Sequence, residues 1–124
     1  MKLRIRGNSL RLRLLRNEVT ALAETGKVSE KIGFGNGAAL TYTLASADDA
    51  EKITANFTGN EIIVLLPKTI VEKWAGGGAV SLEAEQKSGE NDILKILIEK
   101  DFACIERKDD PDREDAFPNP NVNC

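Results

Sequence analysis

The first fifteen residues, MKLRIRGNSLRLRLL, alternate apolar and polar side chains with a period of two, which restricts this stretch to β-strands. The Gly7-Asn8 pair interrupts the alternation and is a favoured two-residue turn, so a β-hairpin is predicted. A tight hairpin places Arg4 directly opposite Arg11. Like charges opposite one another on one face are unfavourable unless an anion lies over them. The main functional question is therefore which anion neutralises this face.

The chain has 124 residues, the length of one compact domain, and contains no histidine. The absence of histidine excludes serine and cysteine triads that need an imidazole base, and it removes a common zinc ligand. The first sixteen residues carry only basic charges, whereas residues 99–115 carry twice as many acids as bases. We predict a single α+β domain over residues 1–105 and a charged, Asn/Pro-rich tail over residues 106–124.

No segment has the roughly 20 consecutive apolar residues of a membrane span, and the Arg-rich N-terminus lacks the apolar region of a signal peptide. The two cysteines, Cys104 and Cys124, have no CxxC spacing and predict neither a zinc site nor a disulfide framework. Cys104 is interpreted as a buried thiol. A cytoplasmic protein with no membrane partner is expected.

Six further apolar or alternating runs predict strands, and two amphipathic stretches predict short helices over residues 18–24 and 67–74. Within the third strand, Glu30 occupies a position on the face that should be apolar. The predicted fold has about eight mostly antiparallel strands in a barrel or strongly curved sheet, with two short helices. After the opening hairpin, the predicted strands lie at residues 27–32, 40–44, 53–57, 62–66, 80–85 and 93–98.

A weak internal repeat relates the two halves of the chain. Leu14-Leu15 matches Leu65-Leu66, and Val19 matches Ile70, within two units that both run strand, helix, glycine stop, strand. A true repeat predicts a pseudo-twofold relation between duplicated strand-helix-strand units, whereas the small number of identities leaves chance similarity as the alternative.

The alternating basic strands, the two short helices and the strand Ser81-Leu82-Glu83-Ala84-Glu85 resemble the CYTH-like, or triphosphate tunnel, fold over residues 1–101. The resemblance implies an antiparallel barrel whose channel is lined with charged side chains that bind triphosphate and a metal. The ExExK signature of that family is replaced here by Lys2-Leu3-Arg4-Ile5-Arg6, so whether the chain is an enzyme stays open. The segments RIRGNSLRLRL, EKDFAC and DAFPNP also look like those of a small uncharacterised bacterial family, which implies no function.

If the sheet curls with its charged face inward, that face forms a basic cavity. Arginine side chains bind phosphate oxygens bidentately, and a pair of carboxylates can hold Mg²⁺ that bridges the same phosphates. We therefore predict anion binding, with a phosphate-containing small molecule such as a polyphosphate or nucleotide as the ligand and Mg²⁺ as its companion ion. The candidate anion-binding residues are Arg4, Arg6, Arg11, Arg13 and Lys31, and the candidate metal ligands are Glu83 and Glu85.

The same alternation also fits a sheet with one face on the core and the other in water, in which Glu83 and Glu85 are cross-strand partners of arginines. The protein would then be a non-enzymatic interaction or assembly domain whose basic face is neutralised by its own carboxylates. Self-association through the acidic run at residues 109–115 is one form of this alternative. Nucleic acid is disfavoured as a partner because aromatic content is 5% and the C-terminal third is acidic.

Overall fold

A computed structural model of the chain describes residues 1–102 and 115–118, and it confirms an α+β fold with eight strands and two helices. Cys104, Cys124 and most of the predicted tail lie outside the described residues. The helices are α1 (Arg16–Thr25) and α2 (Lys68–Gly76). The strands are β1 (Lys2–Ile5), β2 (Ser9–Leu14), β3 (Lys27–Gly35), β4 (Ala38–Ala47), β5 (Thr54–Thr58), β6 (Glu61–Pro67), β7 (Ser81–Lys87) and β8 (Ile93–Lys100).

The strands form two four-stranded sheets of the same design. Sheet 1 has the order β1-β2-β8-β7, and sheet 2 has the order β3-β4-β6-β5. In each sheet the two outer pairs are antiparallel and the central pair, β2 with β8 or β4 with β6, is parallel. The prediction of mostly antiparallel strands is confirmed. Each sheet combines one hairpin from each half of the chain, and the two hairpins meet at the parallel pair.

The registers of the two sheets reveal the pseudo-twofold relation. Lys2 pairs with Arg13 in sheet 1 at the position where Thr54 pairs with Leu65 in sheet 2. The equivalence is one residue away from the sequence match, because Leu14 corresponds to Leu66 and not to Leu65. Seven pairs of buried core residues correspond in this way: Met1 and Ile53, Leu12 and Val64, Leu14 and Leu66, Val19 and Val71, Leu22 and Trp74, Tyr42 and Ile96, and Leu44 and Ile98.

A single hydrophobic core contains residues from both sheets and both helices. Helix α1 begins after Leu15, whose N–H donates to Glu18 Oε1 at 2.9 Å, and it ends at Gly26, which adopts a left-handed φ of 82°. It buries Val19 and Leu22, which lie on one face at a spacing of three residues. Helix α2 buries the corresponding pair, and the two helices contact each other. Neither described helix has the length and apolar character needed to cross a membrane.

The eight described strands do not close into a hydrogen-bonded barrel, so the barrel alternative of the prediction is wrong. Edge strands β5 and β7 approach each other, but a side chain replaces the backbone ladder between them. The amide of Gln86 on β7 accepts from the Ala55 N–H and donates to the Ala55 carbonyl, each at 2.8 Å. Because the Gln86 amide already occupies both backbone groups of Ala55, these groups are not available to a β7 backbone.

The opposite pair of edges, β1 and β3, is also joined by polar contacts, here between the backbone groups of Met1 and side chains of α1, β3 and β4. The buried ammonium group of Met1, directly before β1, forms ion pairs with Glu18 on α1 and with Glu30 on β3, the latter at 2.7 Å. The hydroxyl of Tyr42 donates to Glu30 Oε2 at 3.0 Å and lies 3.1 Å from the Met1 carbonyl oxygen. Polar contacts therefore connect the two sheets at both seams.

Candidate functional site

Most of the charged side chains of sheet 1 lie on its outer face, away from the core; Lys100, which lies over the Trp74 ring, is an exception. Leu12 and Leu14 of β2 are fully buried, and because successive residues of a strand point to opposite faces, Arg11 and Arg13 point outward. The expectation of a charged face curled inward around a cavity is therefore wrong. The apolar faces of the same strands fill the interior, which leaves no channel for charged groups among the described residues.

The strand register arranges the outer side chains in rows across sheet 1. It confirms the predicted juxtaposition of Arg4 and Arg11. Positive charge collects on β1 and β2, while β7 carries carboxylates. The first row contains Lys2, Arg13, Glu99 and Ser81; the second contains Arg4, Arg11, Leu97 and Glu83; the third contains Arg6, Ser9, Lys95 and Glu85.

Glu99 is the carboxylate that neutralises part of the basic face. Its Oε1 atom lies 2.5 Å from Arg13 Nε and 3.4 Å from Arg11 Nε, and its side chain is only 15% exposed. Among the described residues, neither Glu83 nor Glu85 forms an ion pair within 4.0 Å. The interpretation of these two carboxylates as partners of arginines is therefore wrong within the described structure, because β8 separates β7 from β2.

A groove of about 660 Å³ crosses the outer face over the second and third rows. Leu97, in the middle of the second row, is among the residues that line it. We call it the sheet 1 groove. Its charged walls contain Arg4, Arg6 and Arg11 on the β1-β2 side, Lys95 at the centre, and Glu83 and Glu85 on β7.

The structure brings most of the predicted site residues together, with two exceptions. Arg13 lies beside the groove in the first row, where it contacts Glu99. Lys31 is an exposed residue of β3 in sheet 2 and does not line the groove, because the strands form two sheets and not one continuous charged surface. Lys95 is the charged groove residue that is absent from the predicted set. Its position depends on the parallel pairing of β2 with β8, for which local alternation gives no signal.

Within the described residues, no group of three or more His, Cys, Asp or Glu side chains is arranged to hold a metal ion. Glu83 and Glu85 are two residues apart on β7 and so share one face. Two carboxylates suffice for Mg²⁺ only when ligand phosphates and water complete the coordination. These residues therefore fit a metal that arrives together with a phosphate ligand.

A second polar cluster, around Met1, contains those groups of the described residues whose pKa values are shifted. Burial of the Met1 ammonium acts to lower its pKa, but hydrogen bonds to Glu18 and Glu30 outweigh burial, so the pKa is raised above 8.0. The hydrogen bond between the Met1 ammonium and Glu30, together with the one from Tyr42, outweighs burial and lowers the pKa of Glu30 below 4.5. Burial and the hydrogen bond to Glu30 raise the pKa of Tyr42. The sequence signal for this cluster is Glu30 itself, an acid at a position where the alternation calls for an apolar residue.

These shifts predict how stability depends on pH. The raised pKa of the Met1 amine gives stability that is present below pH 8 and is lost as pH rises through the folded-state pKa. The lowered pKa of Glu30 gives stability that is present above its ordinary value of 4.5 and is lost as pH falls through the folded-state pKa. The free energy of unfolding, measured by urea denaturation across a range of pH, should therefore be highest between the folded-state pKa values of Glu30 and of the Met1 amine. Glu30→Gln should weaken the pH dependence of the free energy of unfolding on both the acidic and the alkaline side. Identical pH profiles for this variant and the parent chain would show that the Met1–Glu30 ion pair does not contribute to stability.

Comparison with known proteins identifies a family for the chain, but that family has no known activity. No curated protein and no solved structure matches the chain. A family of unknown function, DUF7009, matches residues 1–121, which include both sheets, both helices and the groove. The chain therefore belongs to the family of unknown function DUF7009.

Proposed function

We propose that this protein binds a phosphate-containing small molecule, a polyphosphate or a nucleotide, in the sheet 1 groove. The supporting observation is the convergence of Arg4, Arg6, Arg11 and Lys95 on one groove of about 660 Å³. This volume lies in the range of about 300–1,000 Å³ that is typical of small-molecule sites.

The chemistry of the groove suits phosphate oxygens. The planar guanidinium groups of Arg4, Arg6 and Arg11 can each donate two parallel hydrogen bonds, and the ammonium of Lys95 acts as a compact charge. Glu99 orients Arg11 through its 3.4 Å contact, which reduces the side-chain entropy that a ligand must remove. For a ligand that is anionic along its whole length, such as a polyphosphate, Mg²⁺ held by Glu83 and Glu85 on β7 would offset the repulsion at that end of the groove.

The resemblance to CYTH-like proteins supports this proposal in one respect, the use of a charged strand face to hold phosphates. The proposed site differs from a tunnel because it lies on the outside of sheet 1. The proposed function is binding, with no catalytic step. A cytoplasmic location and a bacterial source belong to the same proposal.

Replacing Lys95 with glutamine tests the proposal with little risk to folding, because Lys95 is exposed and has no ion pair among the described residues. We expect Lys95→Gln to weaken binding of inorganic triphosphate about tenfold, the cost of losing one charge-assisted hydrogen bond. Isothermal titration calorimetry measures this directly. The matched control is Lys31→Gln, which removes the same charge from sheet 2 and should leave the dissociation constant unchanged.

Two results would overturn the proposal. The first is the absence of heat when the parent chain is titrated with inorganic triphosphate or nucleoside triphosphates, with and without Mg²⁺. The second is equal weakening by Lys95→Gln and Lys31→Gln, which would show that overall charge and not the groove determines affinity.

An interaction domain without a small-molecule ligand is the second candidate, and particular ion pairs favour it. Glu99 contacts both Arg11 and Arg13, and Lys2 Nζ lies 3.0 Å from Asp101 Oδ2, so the chain neutralises part of its own basic face. This candidate predicts no triphosphate binding and an oligomeric state that changes when Glu99→Gln exposes the arginines. Analytical ultracentrifugation of that variant distinguishes the two functions.

A further inference from the structure

We infer that the ligand is a guanine nucleotide, with its phosphates over β1 and β2 and its base over β7. This inference rests on the proposed function and specifies the ligand of the same groove. It follows from the way that charge changes sign from one end of the groove to the other.

The groove is polarised along each row. In the second row, Arg4 and Arg11 stand at one end and Glu83 at the other, with the apolar Leu97 between them. In the third row, Lys95 lies beside Glu85. A linear polyphosphate is anionic along its whole length and would place negative charge against β7, where repulsion opposes it. A ligand with an anionic end and a hydrogen-bond-donating end avoids this repulsion.

The dimensions of the groove match such a ligand. Arg11 on β2 and Glu83 on β7 are separated by one intervening strand, so their backbones lie about 10 Å apart. An extended nucleotide spans a comparable distance between its phosphates and the far edge of its base. The middle of the row is Leu97, which a planar base can cover.

The carboxylates select among bases by hydrogen bonding. A carboxylate has only acceptor atoms when ionised, and two adjacent N–H donors can bind it bidentately. Guanine presents such a pair, N1–H beside the 2-amino group. Adenine places an acceptor next to its amino group on the corresponding edge, so a carboxylate there meets one donor and one repelling lone pair. Glu83 and Glu85 therefore favour guanine.

The test compares GTP, ITP and inorganic triphosphate by titration calorimetry on the full chain, once with EDTA to remove divalent metal and once with Mg²⁺ added. ITP differs from GTP only in lacking the 2-amino group. We expect GTP to bind about tenfold more tightly than ITP, because one hydrogen bond to a charged acceptor is lost. The double variant Glu83→Gln/Glu85→Gln should abolish this preference and leave inorganic triphosphate binding equal or stronger. Glu72→Gln on α2 is the matched control and should retain the preference.

The outcomes separate this inference from the proposed function. Equal binding of GTP and ITP, or a preference that survives the double variant, would overturn the placement of the base while groove binding stands. Triphosphate binding that requires Mg²⁺ and is lost in the double variant would also overturn it, because the carboxylates would then hold the metal. Absence of binding by all three probes, both with EDTA and with Mg²⁺, would remove the proposed function itself.

Discussion

Leu14→Ala and Leu66→Ala should each lower the free energy of unfolding by about 2–5 kcal/mol, and the two losses should be similar. Both side chains are 0% exposed, and they occupy equivalent positions, Leu14 on β2 and Leu66 on β6. Each substitution removes buried methyl groups and leaves a cavity in the core shared by the two sheets.

Equilibrium urea unfolding measures both losses on the same chain. The matched control is Phe57→Ala, because Phe57 is a larger apolar residue but is 68% exposed, so its replacement should change stability by no more than about 0.5 kcal/mol. A loss below 1 kcal/mol for only one of the two leucines would contradict the pseudo-twofold arrangement of the core.

Gln86→Leu should lower the free energy of unfolding by about 1–3 kcal/mol, although leucine suits a strand and has a similar size. The substitution leaves the Ala55 N–H and carbonyl without the two 2.8 Å hydrogen bonds that join β5 to β7. Ala55 is 5% exposed, so water has little access to these groups. The hydrogen-exchange rate of the Ala55 amide should rise by a larger factor than the decrease in the global free energy of unfolding alone would cause.

Lys87→Leu is the control for this prediction. Lys87 is the next residue on β7 and is exposed, so its replacement removes a polar side chain from the same strand without removing a contact between the sheets. If Gln86→Leu and Lys87→Leu had the same unfolding midpoint, the Gln86 bridge would contribute nothing to joining the two sheets.

Local patterns predicted much of the fold. The period-two alternation in β1 and β2 correctly identified the hairpin, its register and the opposition of Arg4 and Arg11. Alternation carries this information because a strand with one buried face must place every second residue in the core. Glu30 broke the alternation, and the structure gives the reason, since its carboxylate binds the Met1 ammonium.

Long-range pairing was not predictable from these patterns. The parallel pairing of β2 with β8 brings Glu99 to Arg11 and Arg13 and brings Lys95 into the groove. These strands are distant in sequence, and alternation within a strand says nothing about which strand lies beside it. The candidate site therefore included Lys31, which belongs to the other sheet.

The sequence match between the two halves is one residue away from the structural equivalence for a related reason. Residues 62–66 are all apolar, so they contain no alternation that fixes which members face the core. Only the buried pairs, such as Leu14 with Leu66 and Leu22 with Trp74, reveal the equivalence. The extra residues between α2 and β7 further obscure the match.

Binding of a phosphate ligand to the outer face of sheet 1 can be measured by heteronuclear NMR titration of the chain with GTP. We expect saturable chemical-shift changes in the backbone amides of β1, β2, β7 and β8 around Arg11, Lys95 and Glu83, with no change around Lys31. Changes confined to sheet 2, or none at ligand concentrations in large excess, would contradict it.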